Sequence, residues 1–77
     1  MEHELKILPE YFEAVFNYKK NFEVRENDRG YKVGDILILK EWEGEYTGRE
    51  LEREITYILT DDSGYVLPGY VVMSIRK

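Results

Sequence analysis

Lys20, Glu23 and Arg25 are the residues of this 77-residue chain whose types and spacing could do chemistry, and Tyr18 and Lys19 stand directly before them. In the run "YKKNFEVREND", Phe22 and Val24 alternate with Glu23 and Arg25, which predicts a strand with an apolar face and a charged one. Two residues apart on one face, Glu23 and Arg25 have Cβ atoms about 6 to 7 Å apart, close enough to bridge each other or to share a ligand. As surface decoration, such a partly exposed pair is worth at most about 1 kcal/mol. As a site, it would join a carboxylate to a cluster of cations.

The elements that must position these residues can be read from periodicity. "HELKIL" alternates and ends at Pro9, which predicts a short first strand and then a helix with proline at its first position, running to about Lys20. Phe12, Val15, Phe16 and the stem of Lys19 recur at helical spacing as an apolar stripe. Lys19 and Lys20 would fall in the last turn, where cations complement the helix dipole. A second strand is expected over Asn21 to Asn27, then a glycine-rich turn, then a core strand through "ILILKEW". "RELEREITYIL" reads as a long strand with Leu51, Ile55, Tyr57 and Leu59 inward and a register break near Arg53. "YVVMSIR" reads as a last strand buried on both faces. About five strands and one early helix predict an α+β domain spanning residues 1–77, in which a curled antiparallel meander closes into a small barrel.

Composition narrows the chemistry. The chain has no cysteine, which excludes disulfides and thiolate metal sites, and its single histidine, placed near the chain start, argues against a histidine-based zinc site and a Ser-His-acid triad. His3 is expected to fray near the chain start. No metal, no cofactor and no membrane span are expected, and a cytoplasmic monomer fits the composition. The net charge is −5, but it is uneven. Lys19 to Lys40 holds six basic and four acidic residues, whereas Glu41, Glu43, Glu45, Glu50, Glu52 and Glu54 are offset only by Arg49 and Arg53. Such polarity could steer a nucleic acid to one face, or be a solvated mixed surface. The acidic run reads as solvent-facing charge that blunts strand edges.

The motif residues resemble the ASCH branch of the PUA-like superfamily, whose pattern is Gly-x-Lys-x-x-Glu-x-Arg at the junction of the first helix and a strand. Lys20, Glu23 and Arg25 take the three charged positions, and Tyr18 stands where the pattern has glycine. "YKVGDILIL" and "GYVVMSI" are similar to other segments of the family, so the resemblance spans nearly the whole chain. It implies a PUA-like β-barrel with single-stranded RNA or a nucleotide as ligand. Lys20 and Arg25 would grip phosphate or a flipped-out base, and Glu23 would accept from base amino groups. Tyr18 is the first candidate for stacking, with Tyr31 and Trp42 behind it. Some members of the resembled family hydrolyse modified nucleosides with the motif lysine and a threonine three residues later, a position that is Glu23 here. The resemblance therefore leaves hydrolysis as the alternative and a protein-interaction accessory as a further one.

Overall fold

Alternation in Glu2–Ile7 turns His3, Leu5 and Ile7 to the interior of the computed structural model, which describes residues 1–77. This strand, β1, is followed by helix α1 (Pro9–Phe16) and strands β2 (Phe22–Glu26), β3 (Ile36–Trp42), β4 (Tyr46–Leu59) and β5 (Tyr70–Arg76), with one 3-10 turn at Asp61–Ser63. The five strands form a single sheet in the order β1-β3-β4-β5-β2. β1 pairs parallel to β3 and every other pairing is antiparallel, so the sheet is mixed rather than the expected antiparallel meander. The sheet curls into a half-barrel, and its two edge strands, β1 and β2, share no ladder.

Helix α1 begins as expected at Pro9, whose missing N–H costs nothing there. It buries Phe12 and Val15 against the sheet, each worth about 1.5 to 3 kcal/mol of apolar transfer. The helix stops a turn early. Asn17 is its C-cap, and Tyr18 follows in the left-handed conformation with φ of 59°. The Tyr18 amide bonds to the Val15 carbonyl at 3.1 Å and the Lys19 amide to the Ala14 carbonyl at 2.9 Å, which is the bonding of a Schellman cap. Phe16 is consequently 47% exposed, and the Lys19 stem lies outside the core. Lys19 and Lys20 lie beyond the helix, and the cation at its C-terminal end is Arg53 of β4, whose Nη2 donates to the Val15 carbonyl at 3.4 Å.

Register and burial correct further expectations. The break in β4 falls at Thr56 rather than Arg53: Ile55 pairs with Ile75 and Tyr57 with Ser74, so one extra residue is accommodated. This bulge sends Ile58 toward the core and leaves Tyr57 63% exposed. In β5, Val71, Met73 and Ile75 are buried while Tyr70, Val72 and Ser74 are half-exposed, so only one face is fully covered. Glu41 in the acidic run is buried, accepting from the Thr47 hydroxyl at 2.6 Å with Arg49 3.8 Å away.

His3 does not fray. Its Nε2 is 2.8 Å from Asp35 Oδ2, and its ring meets buried Tyr31 edge-on at 4.8 Å. Asp35 also accepts from the Lys32 amide at 3.1 Å, across a turn in which Gly34 supplies the positive φ of 95°. The His3 hydrogen bond, with the Lys32 amide, holds the Asp35 carboxyl below its ordinary value. Burial pushes the Tyr31 phenol up. Tyr31 therefore packs as a core residue rather than presenting a stacking surface.

Candidate functional site

Strand alternation in β2 sends Phe22 and Val24 outward and Glu23 and Arg25 inward, so the charged pair occupies the covered face. The Glu23 side chain is only 3% exposed. A carboxylate so buried must be paired, and both of its oxygens are. Oε1 accepts from Arg25 Nε at 3.0 Å and Nη2 at 2.8 Å, while Oε2 is bonded by the Lys20 ammonium. Lys20 also donates to the Phe22 carbonyl at 2.7 Å. The three motif residues thus form one hydrogen-bonded unit, not a solvated surface pair.

This unit sits on the seam between the unpaired edges. The Asn21 carbonyl accepts from the Ile75 amide of β5 and the Asn27 amide donates to the Gly69 carbonyl just before that strand, so alternation turns the main-chain groups of Phe22, Val24 and Glu26 toward β1. Met1 bonds through its carbonyl to Ile36 of β3, so the Glu4 and Lys6 carbonyls face back. Arginine side chains occupy the gap. Arg25 Nη2 donates to the Lys6 carbonyl at 2.9 Å, and Arg29 Nη1 to the Glu4 carbonyl at 3.0 Å.

A cleft of about 430 Å³ opens beside the unit. One wall is Lys20 with Glu23, Val24 and Arg25 of β2, and the opposite wall is Lys6, Ile7, Leu8 and Tyr11. Three cations and one carboxylate therefore line a concave site in a chain of net charge −5. The Lys20 ammonium lies 5.8 Å from the Tyr11 ring and 5.0 Å from the Phe22 ring, and Lys6 Nζ lies 4.7 Å from the Trp42 ring. The dimensions suit a nucleotide-sized ligand.

Lys20, Glu23 and Arg25 are brought together as the spacing suggested. Tyr18 and Lys19 do not line the cleft; Tyr18 instead stands 5.5 Å from the Arg53 guanidinium carbon. The left-handed backbone at Tyr18 is the conformation a motif glycine would supply at no steric cost. Sequence reasoning missed Lys6 and Tyr11. Their signals were an outward position on β1 and an aromatic residue off the buried helical stripe. No cluster of histidine, cysteine or carboxylate side chains is arranged to hold a metal ion, and no helix is long and apolar enough to cross a membrane.

Fold and cleft together define a small α+β half-barrel domain with a cation-lined seam. The chain belongs to the family described as a domain of unknown function, DUF3850, whose model matches residues 2–75. It is 46% identical over 72 residues to an uncharacterised 12.9 kDa protein in the GpA 3′ region of Escherichia phage P2. That match covers 92% of this chain and 64% of the phage protein, so the chain spans less than two thirds of this relative's length. The crystal structure of hypothetical protein PH0355 shares the fold, with a TM-score of 0.71 at 22% identity over 99% of this chain and 98% of the other.

Proposed function

We propose that the seam cleft binds a single unpaired nucleotide, presented by single-stranded RNA or free in solution. The observation that carries this reading is the Glu23 clamp: a buried carboxylate fixes Lys20 and Arg25 side by side at the wall of a nucleotide-sized cleft. Orienting two cations in advance lowers the ordering cost of gripping a phosphate. Lys6 adds a third cation across the cleft, Tyr11 a ring for the base, and the main-chain N–H and C=O of Val24 a donor and acceptor for a base edge. Glu23 acts here as the holder of the cations, since both oxygens are already engaged.

The ASCH-like resemblance supports the same ligand class. Left-handed Tyr18 preserves the backbone of the motif glycine, and the half-barrel suits a PUA-like relation. Hydrolysis has less support, because position 23 carries an engaged carboxylate rather than a hydroxyl.

Titration calorimetry with UMP and with oligouridylate at several salt concentrations tests the reading. With about three phosphate-facing cations, the log–log salt slope for oligouridylate should be roughly −2. Tyr11→Ala and Lys6→Ala should each weaken UMP binding. Failure of UMP to bind, or binding indifferent to both substitutions, would remove the cleft from the account.

A further inference from the structure

The outer face of β2, β5 and β4 carries aromatic and aliphatic side chains that the fold leaves uncovered. Cross-strand register places Phe22, Ser74 and Tyr57 in one row and Val24, Val72 and Leu59 in the next. None of these six is charged, in a chain where 35% of residues are. Phe22 is 45% exposed and Tyr57 63%. Two inter-strand spacings put the two rings about 9 to 10 Å apart across Ser74.

Tyr57 is there because of the bulge. Without the extra residue at Thr56, alternation from buried Ile55 would point Tyr57 into the core; with it, both Thr56 and Tyr57 lie on the exposed face. The Thr56 hydroxyl lies 2.8 Å from the Ser74 hydroxyl, which fixes the bulge over the row. Bulges that re-aim a side chain in this way are over-represented beside functional sites.

The row is continuous with the cleft. The Lys20 ammonium stands between the Tyr11 ring inside and the Phe22 ring outside, so a strand leaving the cleft past Lys20 meets Phe22 next. The main chain of Asn21, beside Lys20, bonds to Ile75 of β5, which brings exposed Arg76 to the same end of the row. Arg76 is paired with Glu54 at 3.2 Å, yet its side chain remains 68% exposed. Lys20 and Arg76, with Glu54 opposite Arg76 on β4, thus border an uncharged aromatic row at one end. That pairing of π-faces with a cationic border matches a single-stranded nucleic acid, whose bases stack while its phosphates follow the cations.

We infer that the Phe22–Ser74–Tyr57 row is a stacking platform for the nucleotides that flank the one held in the cleft, making the protein a reader of short single-stranded RNA rather than of free nucleotides. The inference rests on the nucleotide reading of the cleft, and one comparison separates the two. Affinity is measured for UMP and for tetrauridylate with the native chain and with Tyr57→Ala and Tyr57→Phe. Tetrauridylate should bind at least about tenfold more tightly than UMP, Tyr57→Ala should remove most of that gain, and Tyr57→Phe should keep it. UMP affinity should be the same in all three proteins. If UMP binds and tetrauridylate binds no better, the platform is wrong while the cleft stands. If UMP fails to bind but tetrauridylate binds through Tyr57, the row contacts RNA by itself, and both the cleft reading and the platform as a flank to a cleft-bound nucleotide are overturned. If Tyr57→Ala alters sedimentation of the free protein and leaves tetrauridylate affinity unchanged, the row is a self-association face and the inference is overturned.

Discussion

Arg25 Nη2 lies 2.9 Å from the carbonyl oxygen of Lys6, so the two edge strands that no backbone ladder joins are linked by a side chain. The same guanidinium holds Glu23. Arg25→Ala should therefore cost about 2 kcal/mol, because it loosens the seam and strips one partner from a buried carboxylate that keeps only Lys20. Arg25→Lys should recover little, since an ammonium cannot reproduce the fork that serves both acceptors. Urea denaturation measures both variants, and hydrogen exchange should quicken in β1 first. Stability unchanged in Arg25→Ala would show that the seam is held by something else.

The left-handed Tyr18 gives a second expectation. An L-residue there carries roughly 1 to 2 kcal/mol of strain that glycine lacks. Against this stand the unfolded-state entropy of glycine and the loss of the Tyr18–Arg53 contact at 5.5 Å. Tyr18→Gly should raise stability by about 0.5 kcal/mol, seen as a higher urea midpoint with an unchanged m-value, whereas Tyr18→Val should lower the midpoint.

Phe12 and Phe16 make a matched pair one helical turn apart. Phe12 is buried and Phe16 is half-exposed. Phe12→Ala should cost about 3 to 5 kcal/mol, enough to unfold so small a domain, and Phe16→Ala less than about 1 kcal/mol. Thermal melts of the two variants check this, and a large loss in Phe16→Ala would contradict the early helix end.

These outcomes mark what was legible in the sequence and what was not. Pro9 announced the helix start, and the charged–apolar alternation of "FEVRE" placed Glu23 and Arg25 on one face. The helix end was hidden because its left-handed cap is a tyrosine, which carries none of the signal a glycine would. The outward turn of Tyr57 was hidden for a related reason: no glycine marks the bulge at Thr56. Parallel pairing of β1 with β3 is a long-range choice that local periodicity does not encode. For the same reason Lys20, Glu23 and Arg25 could be grouped from one segment, while Lys6 and Tyr11 join them only through the curl of the sheet.

Acid sensitivity should trace to Asp35. Its folded-state pKa is depressed by the His3 hydrogen bond and the Lys32 amide, so its contribution to stability is present above the unfolded carboxyl value of about 3.9 and is lost as pH falls through the lower folded value. Asp35→Asn should be less stable than the native chain at pH 7, with the gap narrowing below about pH 4. A gap that stays constant from pH 7 to pH 3 would mean that the carboxylate charge does not matter to the fold.

The cleft itself is tested most directly by amide chemical-shift mapping during addition of UMP to the native chain. Binding at the seam predicts shifts concentrated at Lys6, Tyr11, Lys20 and Val24, on both walls at once, with the amides of the acidic outer residues Glu50, Glu52 and Glu54 unmoved. Absence of any shift, or shifts scattered away from the seam, would contradict a nucleotide site built on the Glu23 clamp.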